Sequence, residues 1–306
     1  MRNAFAEELN KIAKEDHRVV LLSGDIGNRL FDELRNDSPK QFINCGIAEQ
    51  NMMGVAAGMG LAGLKPVVYT ITPFTTTRCL EQIRVDVAYH NSPVTFVGTG
   101  SGLSYASLGP THHSLEDFAI LRAIPNLQIL APWDASSLRS LLRKTLADNK
   151  PTYIRIGKKG EKQILREDQT PDIGTSVLER KGKEIAIIAV GTVAIEAVNA
   201  AEILKNNGVD VSVVLVHTIK PNPVNNIMKL IGESKFIVTV EEHSIIGGFG
   251  EMLSSYCQEN NIIKKINKLG ATDEFMPTVG TQEYARKHFK IDADSIVEVV
   301  TNYYSG

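Results

Sequence analysis

QFINCGIAEQNMMGVAAGMGLAGLKPVV, residues 41–68, carries a strand, a helix and the start of a second strand in one stretch. Residues 41–44 are a short β-rich run that ends before Gly46, and Glu49 opens a helical stretch of small and apolar residues reaching Leu61. Gly63 stands where a helix C-cap wants a left-handed residue, and Val67 begins the next β-rich run. The alternation continues outward. Strands are predicted over 19–22, 67–71, 94–98, 128–130 and 152–156, with helices over 79–90, 114–122 and 136–148, the last N-capped by Asp134. Strands alternating with helices predict an α/β fold whose mostly parallel strands are covered on both faces.

Between residues 157 and 184 the texture changes, with 13 of 28 residues charged and both signs intermingled around Pro171 and Gly174. That pattern predicts a linker or solvated crossover. A second α/β unit starts at Ile185 with IAIIAVG, followed by a helix over 193–206 and strands over 211–216, 236–240 and 263–269. The expected division is therefore residues 1–157, a linker over 158–184, and residues 185–306. Two consecutive open, mostly parallel sheets flanked by helices follow from it, and 306 residues suffice for two domains at roughly 100 to 200 residues each.

Thirty-three basic and 35 acidic side chains leave a formal net charge of -2, so no positive excess is available for nucleic acid or an anionic membrane. The three cysteines, Cys45, Cys79 and Cys257, are far apart, which excludes a disulfide scaffold and a zinc module and fits a reducing cytoplasm. The charged N-terminal stretch is unlike a signal peptide, and no apolar run approaches the ~20 residues that cross a bilayer. Neither a nucleic-acid nor a membrane partner is expected.

Several residues are candidates for chemistry. Glu49 stands at the mouth of its helix, where the macrodipole favours an acidic residue for purely structural reasons as well. Gly54 and Gly58, four apart, share a helix face that a second helix or a bound ring could approach closely, which suits a subunit contact. SGLSYASLGPTHHSLEDFAILRAIPNLQILAPWD, residues 101–134, starts as a glycine-rich loop after a strand, on the side where open α/β sheets place ligands. His112 and His113 lie in that loop. Adjacent histidines lack metal-ligand spacing, so no metal site is expected in this chain, and acid–base or hydrogen-bonding duty competes with an ordinary loop role. Asp25, at the end of the first strand, either points into a cleft or initiates a turn. The dinucleotide-binding G-x-G-x-x-G spacing and a Walker loop are both absent.

Taken together, the segments resemble the C-terminal half of transketolase, a pyrimidine-binding domain followed by the transketolase C-terminal domain. GIAEQN with AAGMGLAGLKPVV, GPTHHSLEDFAILRAIPN with its trailing PWD, PTYIRIG, HTIKPNP at 217–223 and VEEHSIIGGFGE at 240–251 carry the likeness, in order. Deoxyxylulose-phosphate synthase and the β subunits of 2-oxoacid dehydrogenases share the layout. The family's G-D-G with a downstream Asn, which holds the diphosphate of thiamin diphosphate through a metal ion, is missing. The resemblance thus implies one subunit of a split enzyme, inactive alone, whose N-terminal-type partner holds Mg2+ or Ca2+ in an α2β2 heterotetramer acting on small sugars.

Carried over residue by residue, Glu49 matches the glutamate that hydrogen-bonds N1′ of the cofactor's aminopyrimidine. Sharing a proton there favours the imino form whose nitrogen takes the thiazolium proton. Phe74 matches an aromatic stacked on the pyrimidine, Asp25 an aspartate near the thiazolium, and His112 a histidine that contacts substrate, with His113 beside it as a further substrate candidate. Lys158 falls where transketolase has an arginine gripping a phosphate; it keeps the charge but not the bidentate fork. Aromatics that follow Phe74 in the family are replaced around Thr77 and Leu80. Leu108 replaces an Asp and Gly100 a His, so two polar sugar contacts are lost and a modified sugar is expected in place of the standard pentose-phosphate pair. The alternatives are a 2-oxoacid dehydrogenase β subunit, a deoxyxylulose-phosphate-synthase-like carboligase, and a non-catalytic assembly subunit. His217 and His243 are read as structural.

Overall fold

The computed structural model describes all residues except Asn28, Lys159, Glu167, Asp168 and Gly306, so three residues of the expected linker lie outside the described ones. The chain builds two sheets. The first has seven strands in the spatial order Thr218–Lys220, Gln128–Leu130, Thr152–Ile156, Thr95–Thr99, Lys65–Ile71, Val19–Ser23 and Phe42–Asn44. All its neighbours pair in parallel except the edge strand Thr218–Lys220, which runs antiparallel to Gln128–Leu130. The second has five, in the order Lys265–Ala271, Phe236–Ser244, Ile185–Val190, Val211–Val216 and Ser176–Arg180, the last antiparallel to its neighbour. Two open, mostly parallel sheets flanked by helices is the architecture expected from the alternating pattern.

Strand alternation explains how the layers share their cores. Val20, Leu22, Val68 and Phe96 face one way, joining Ala186, Ile188 and Val190 of the second sheet in a single buried cluster, with Met52, Met53, Phe118 and Phe249 supplied by intervening helices. Val19, Leu21, Val67 and Tyr69 face the other way, onto Phe5, Leu9 and Leu138. One core therefore spans both halves of the chain.

The linker region is more structured than its charge pattern suggests. Ser176–Arg180 forms an edge strand of the second sheet, and Asp134 ties residues 164 and 165 down. Its carboxylate caps the helix Ala135–Asp148 by accepting from Ser137 N at 2.8 Å, and accepts from Ile164 N and Leu165 N at 2.8 and 2.7 Å. Two predicted helices differ in form. The stretch over 79–90 winds as a tight turn, Thr77–Cys79, a short helix, Leu80–Gln82, and wide turns, Ile83–Tyr89. It enters after Thr76 and Thr77 bond back through their hydroxyls to the carbonyls of Thr72 and Pro73. The helix predicted over 114–122 is shortened to Asp117–Arg122, because Ser114 N bonds Gly102 O and Leu115 N bonds the Glu116 carboxylate. No helix among the described residues is long and apolar enough to cross a membrane.

Candidate active site

Parallel pairing aligns the strands' carboxyl ends: Ser23 opposes Tyr69, Ile71 opposes Thr99, and Thr99 opposes Ile156. The segment after each strand is consequently delivered to one edge. Asp25 comes after the first, Phe74 lies in the turn of helix Thr72–Thr75 after the next, the Gly100–His113 loop succeeds the third, and Lys158 the fourth. This is the edge at which open α/β sheets bind ligands.

Glu49 is the first residue of the helix Glu49–Leu61 and is only 4% exposed. A buried carboxylate needs a compensating partner. Arg78 supplies one, with Nη1 2.8 Å from Glu49 Oε2. The same guanidinium lies over Phe74, its central carbon 4.1 Å from the ring centroid. The space between Phe74 and Glu49 thus holds a flat cation, placed over the aromatic face and ion-paired with the carboxylate. Beside them the Cys79 thiol donates to Phe74 O at 3.2 Å, and burial, with the Glu49 charge second, pushes its pKa up to about 12. Sequence motifs do not single out Arg78, and its four-residue spacing from Phe74 is no helical signal because the helix ends at Thr75 and a separate turn, Thr77–Cys79, follows.

The wall extends through His112, whose ring centroid is 5.4 Å from that of Phe74 and 6.1 Å from that of Tyr105. His112 Nδ1 lies 3.0 Å from Thr111 Oγ1. Tyr105 in turn carries the Lys158 ammonium 4.8 Å above its ring centroid. Glu49, Arg78, Phe74, His112, Tyr105 and Lys158 form one continuous row.

Two candidates stand apart from that row. His113 turns away from its neighbour into a cavity of about 420 Å3 between the two halves of the chain, lined by Leu115, Glu116, Ser244 and Met276 among others. It is 6% exposed, burial lowers its pKa, and its Nε2 has no hydrogen-bond partner among the described residues. Asp25, in the left-handed region at φ 56°, accepts from Asn44 Nδ2 at 2.9 Å and lines a cavity of about 380 Å3 with Arg29 and Arg35. Among the described residues no three His, Cys, Asp or Glu side chains are grouped so as to hold a metal ion.

In the second half, polar side chains point inward. His243 stacks on Phe118 at 5.2 Å between centroids, accepts from Ala119 N through Nε2 at 3.2 Å and donates from Nδ1 to Ser244 O. His217 lies against Trp133 and donates to Asp172 O at 2.8 Å. Both are packed inside the fold, away from the row.

Residues 1–161 match the transketolase pyrimidine-binding domain and residues 174–296 the transketolase C-terminal domain. The chain belongs to the transketolase family. It is 36% identical over 261 residues to one subunit of an apulose-4-phosphate transketolase from Actinobacillus succinogenes, covering 85% of this chain and 84% of that protein. A 6-deoxy-6-sulfo-D-fructose transketolase subunit from a Clostridium species is 32% identical, covering 97% and 92%. Among solved structures, a split-gene transketolase described as an inactive β4 tetramer superposes with a TM-score of 0.88 at 28% identity, covering 98% of this chain and 96% of that one. The site row accordingly lies in the pyrimidine-binding domain of a transketolase chain.

Proposed function

We propose that this chain is the β-type subunit of a split transketolase that moves a two-carbon ketol unit between sugars with thiamin diphosphate, and that it works only with a partner chain holding the diphosphate and its Mg2+ or Ca2+. The observation that carries this reading is the guanidinium that lies over Phe74 and pairs with the buried Glu49 carboxylate. An aminopyrimidine is also flat and offers a ring nitrogen that shares a proton with a carboxylate, so the two residues fit that group.

When bound, the cofactor supplies the thiazolium carbon that accepts the ketol unit. Glu49 Oε2 holds and shares the proton at N1′. Phe74 fixes the plane of the ring, and burial of Glu49 keeps water from competing for the carboxylate. Asp25 stands at the thiazolium side, His112 hydrogen-bonds a substrate oxygen, and Lys158 takes a terminal anionic group, with His113 supporting the loop from behind. Leu108, 49% exposed on the same loop, and Gly100 offer no polar contact to a sugar hydroxyl. The substrate is accordingly a modified sugar bearing an anionic group, a reading supported by the substrates in the relatives' names.

A bare surface supports the partner. On the helix Glu49–Leu61, Val55 and Leu61 are exposed and a Cβ placed at Gly58 would meet nothing within 4 Å. Ile47, just before the helix, is 80% exposed. An apolar face with a glycine groove beside the site suits a subunit contact that completes it, giving an α2β2 heterotetramer in the cytoplasm. Co-expression with an N-terminal-type, thiamin diphosphate-binding transketolase chain from the same organism tests the proposal: a stable complex that cleaves a ketose donor is expected. No complex, or one that acts only on 2-oxoacids with a dihydrolipoyl acyltransferase, sinks it. A kinetic screen in which xylulose 5-phosphate and ribose 5-phosphate are the best pair removes the modified-sugar part alone.

A further inference from the structure

Gly100 has φ +72°, a region that disfavours side chains, and a Cβ built there overlaps ring carbons of Tyr105. The tyrosine ring occupies the volume that any side chain at residue 100 would need. Tyr105 is 8% exposed, and the groups packed around it are functional candidates: Lys158 over its face at 4.8 Å and His112 near its edge at 6.1 Å. Among the described residues no carboxylate lies within ion-pairing distance of Lys158, and the ring's quadrupole is what faces its charge. That contact leaves the ammonium's donors open to an anion.

We infer that Tyr105 is a positioning residue for the transfer reaction, seating the Lys158 ammonium beside His112 so that the site takes a sugar by a terminal anionic group, a phosphate or sulfonate. This rests on the reading of Lys158 as the anion contact. Gly100 is the steric condition for it: only without a side chain there can the ring lie under the lysine. A flexible lysine has many rotamers, and the ring holds the one that faces the site, doing by stacking what a bidentate arginine does by its fork.

The test uses the assembled complex with two acceptors, neutral glycolaldehyde and anionic ribose 5-phosphate, and inorganic phosphate as a competing anion. Tyr105→Leu is expected to raise KM for ribose 5-phosphate and the inhibition constant of phosphate about three- to ten-fold, the range of an exposed to partly desolvated cation–π contact. The glycolaldehyde KM should rise less than that for ribose 5-phosphate, any fall in kcat should be common to both acceptors, and Tyr105→Phe should restore phosphate affinity because the ring remains. Equal shifts for both acceptors, or none, overturn the inference. Lys158→Gln separates the two levels: if it fails to distinguish the acceptors, the anion reading itself falls, whereas if it distinguishes them and Tyr105→Leu does not, only the role of Tyr105 falls. Thermal melting of the free chain gives a second readout. Gly100→Ala should lower Tm more in the otherwise unaltered chain than in a chain that already carries Tyr105→Leu; equal losses would deny the shared volume.

Discussion

Glu49 and Glu242 are both buried carboxylates paired with an arginine, and the two pairs are built in opposite ways. Glu242, 3% exposed, accepts from Arg286 Nε at 2.6 Å, Gln282 Nε2 at 2.8 Å and Leu103 N at 3.0 Å. Arg286 is itself only 9% exposed at its side chain and also binds Glu196 at 2.8 Å. Every strong group there has a fixed partner. Glu49 has one charged partner, and that partner's side chain is 42% exposed. A charge network closed on all sides stabilises a domain contact, whereas a buried acid with a single removable counter-ion is poised to exchange it for a ligand.

The largest effect expected from this contrast falls on turnover. Glu49→Gln keeps size and hydrogen bonding but cannot share the proton, so kcat of the assembled complex should drop by about 10²- to 10⁴-fold, with the melting temperature of the chain little changed. Turnover at the unaltered rate would remove Glu49 from the chemistry and erase the distinction between the two acids.

Arg286→Met probes the closed network. It strands Glu242 and Glu196, and leaving a buried charge unpaired costs about 3–5 kcal/mol. Urea denaturation should show that loss as a lower midpoint with a similar slope. A loss under about 1 kcal/mol would mean water reaches Glu242 and the network is not closed.

His217 extends the comparison to pH. Burial holds its pKa down, from 6.5 to about 4, so below pH 6.5 the unfolded chain takes up a proton that the folded chain refuses. Its contribution is full above pH 6.5 and is lost as pH falls towards about 4, a total of roughly 3 kcal/mol. His217→Gln should flatten stability against pH in that window. An unchanged slope would show the imidazole to be hydrated in the folded chain.

How far the sequence reaches follows the same division. Strands are legible because β-branched runs and glycine caps are local signals: the stretches predicted over 128–130, 152–156 and 211–216 form with those bounds. Thr218–Lys220 is not, since its partner Gln128–Leu130 belongs to the other half of the chain, about ninety residues away in sequence, and no local period encodes the pairing. Glu49, Phe74 and His112 are picked out by motif. Arg78 and Tyr105 are not, because what makes them matter is a stacking partner across a loop, and neither an arginine nor a tyrosine in a turn announces its neighbour. His112 and His113 are indistinguishable as letters, and the backbone turn Pro110–His112 sends them in different directions, one onto the row and one into the cavity behind it.

Arg78→Ala gives the smallest effect and bears most directly on the contrast. If Arg78 were a structural partner like Arg286, removing it would cost about 3–5 kcal/mol. Its exposure argues for about 1 kcal/mol or less, since solvent around the guanidinium screens the pair. The arginine uses the two partners that an aminopyrimidine would use, lying over Phe74 and pairing with Glu49, so the two compete for one place. In the assembled complex the variant should therefore bind thiamin diphosphate up to about five-fold more tightly, because the ligand no longer displaces a contact worth roughly 0.2–1 kcal/mol. Calorimetric titration reads the affinity and a thermal melt of the free chain reads the stability cost. Weaker binding with an unchanged melt would show that Arg78 stays on the ring with the cofactor in place, making it part of a finished site and not the temporary occupant of an open one.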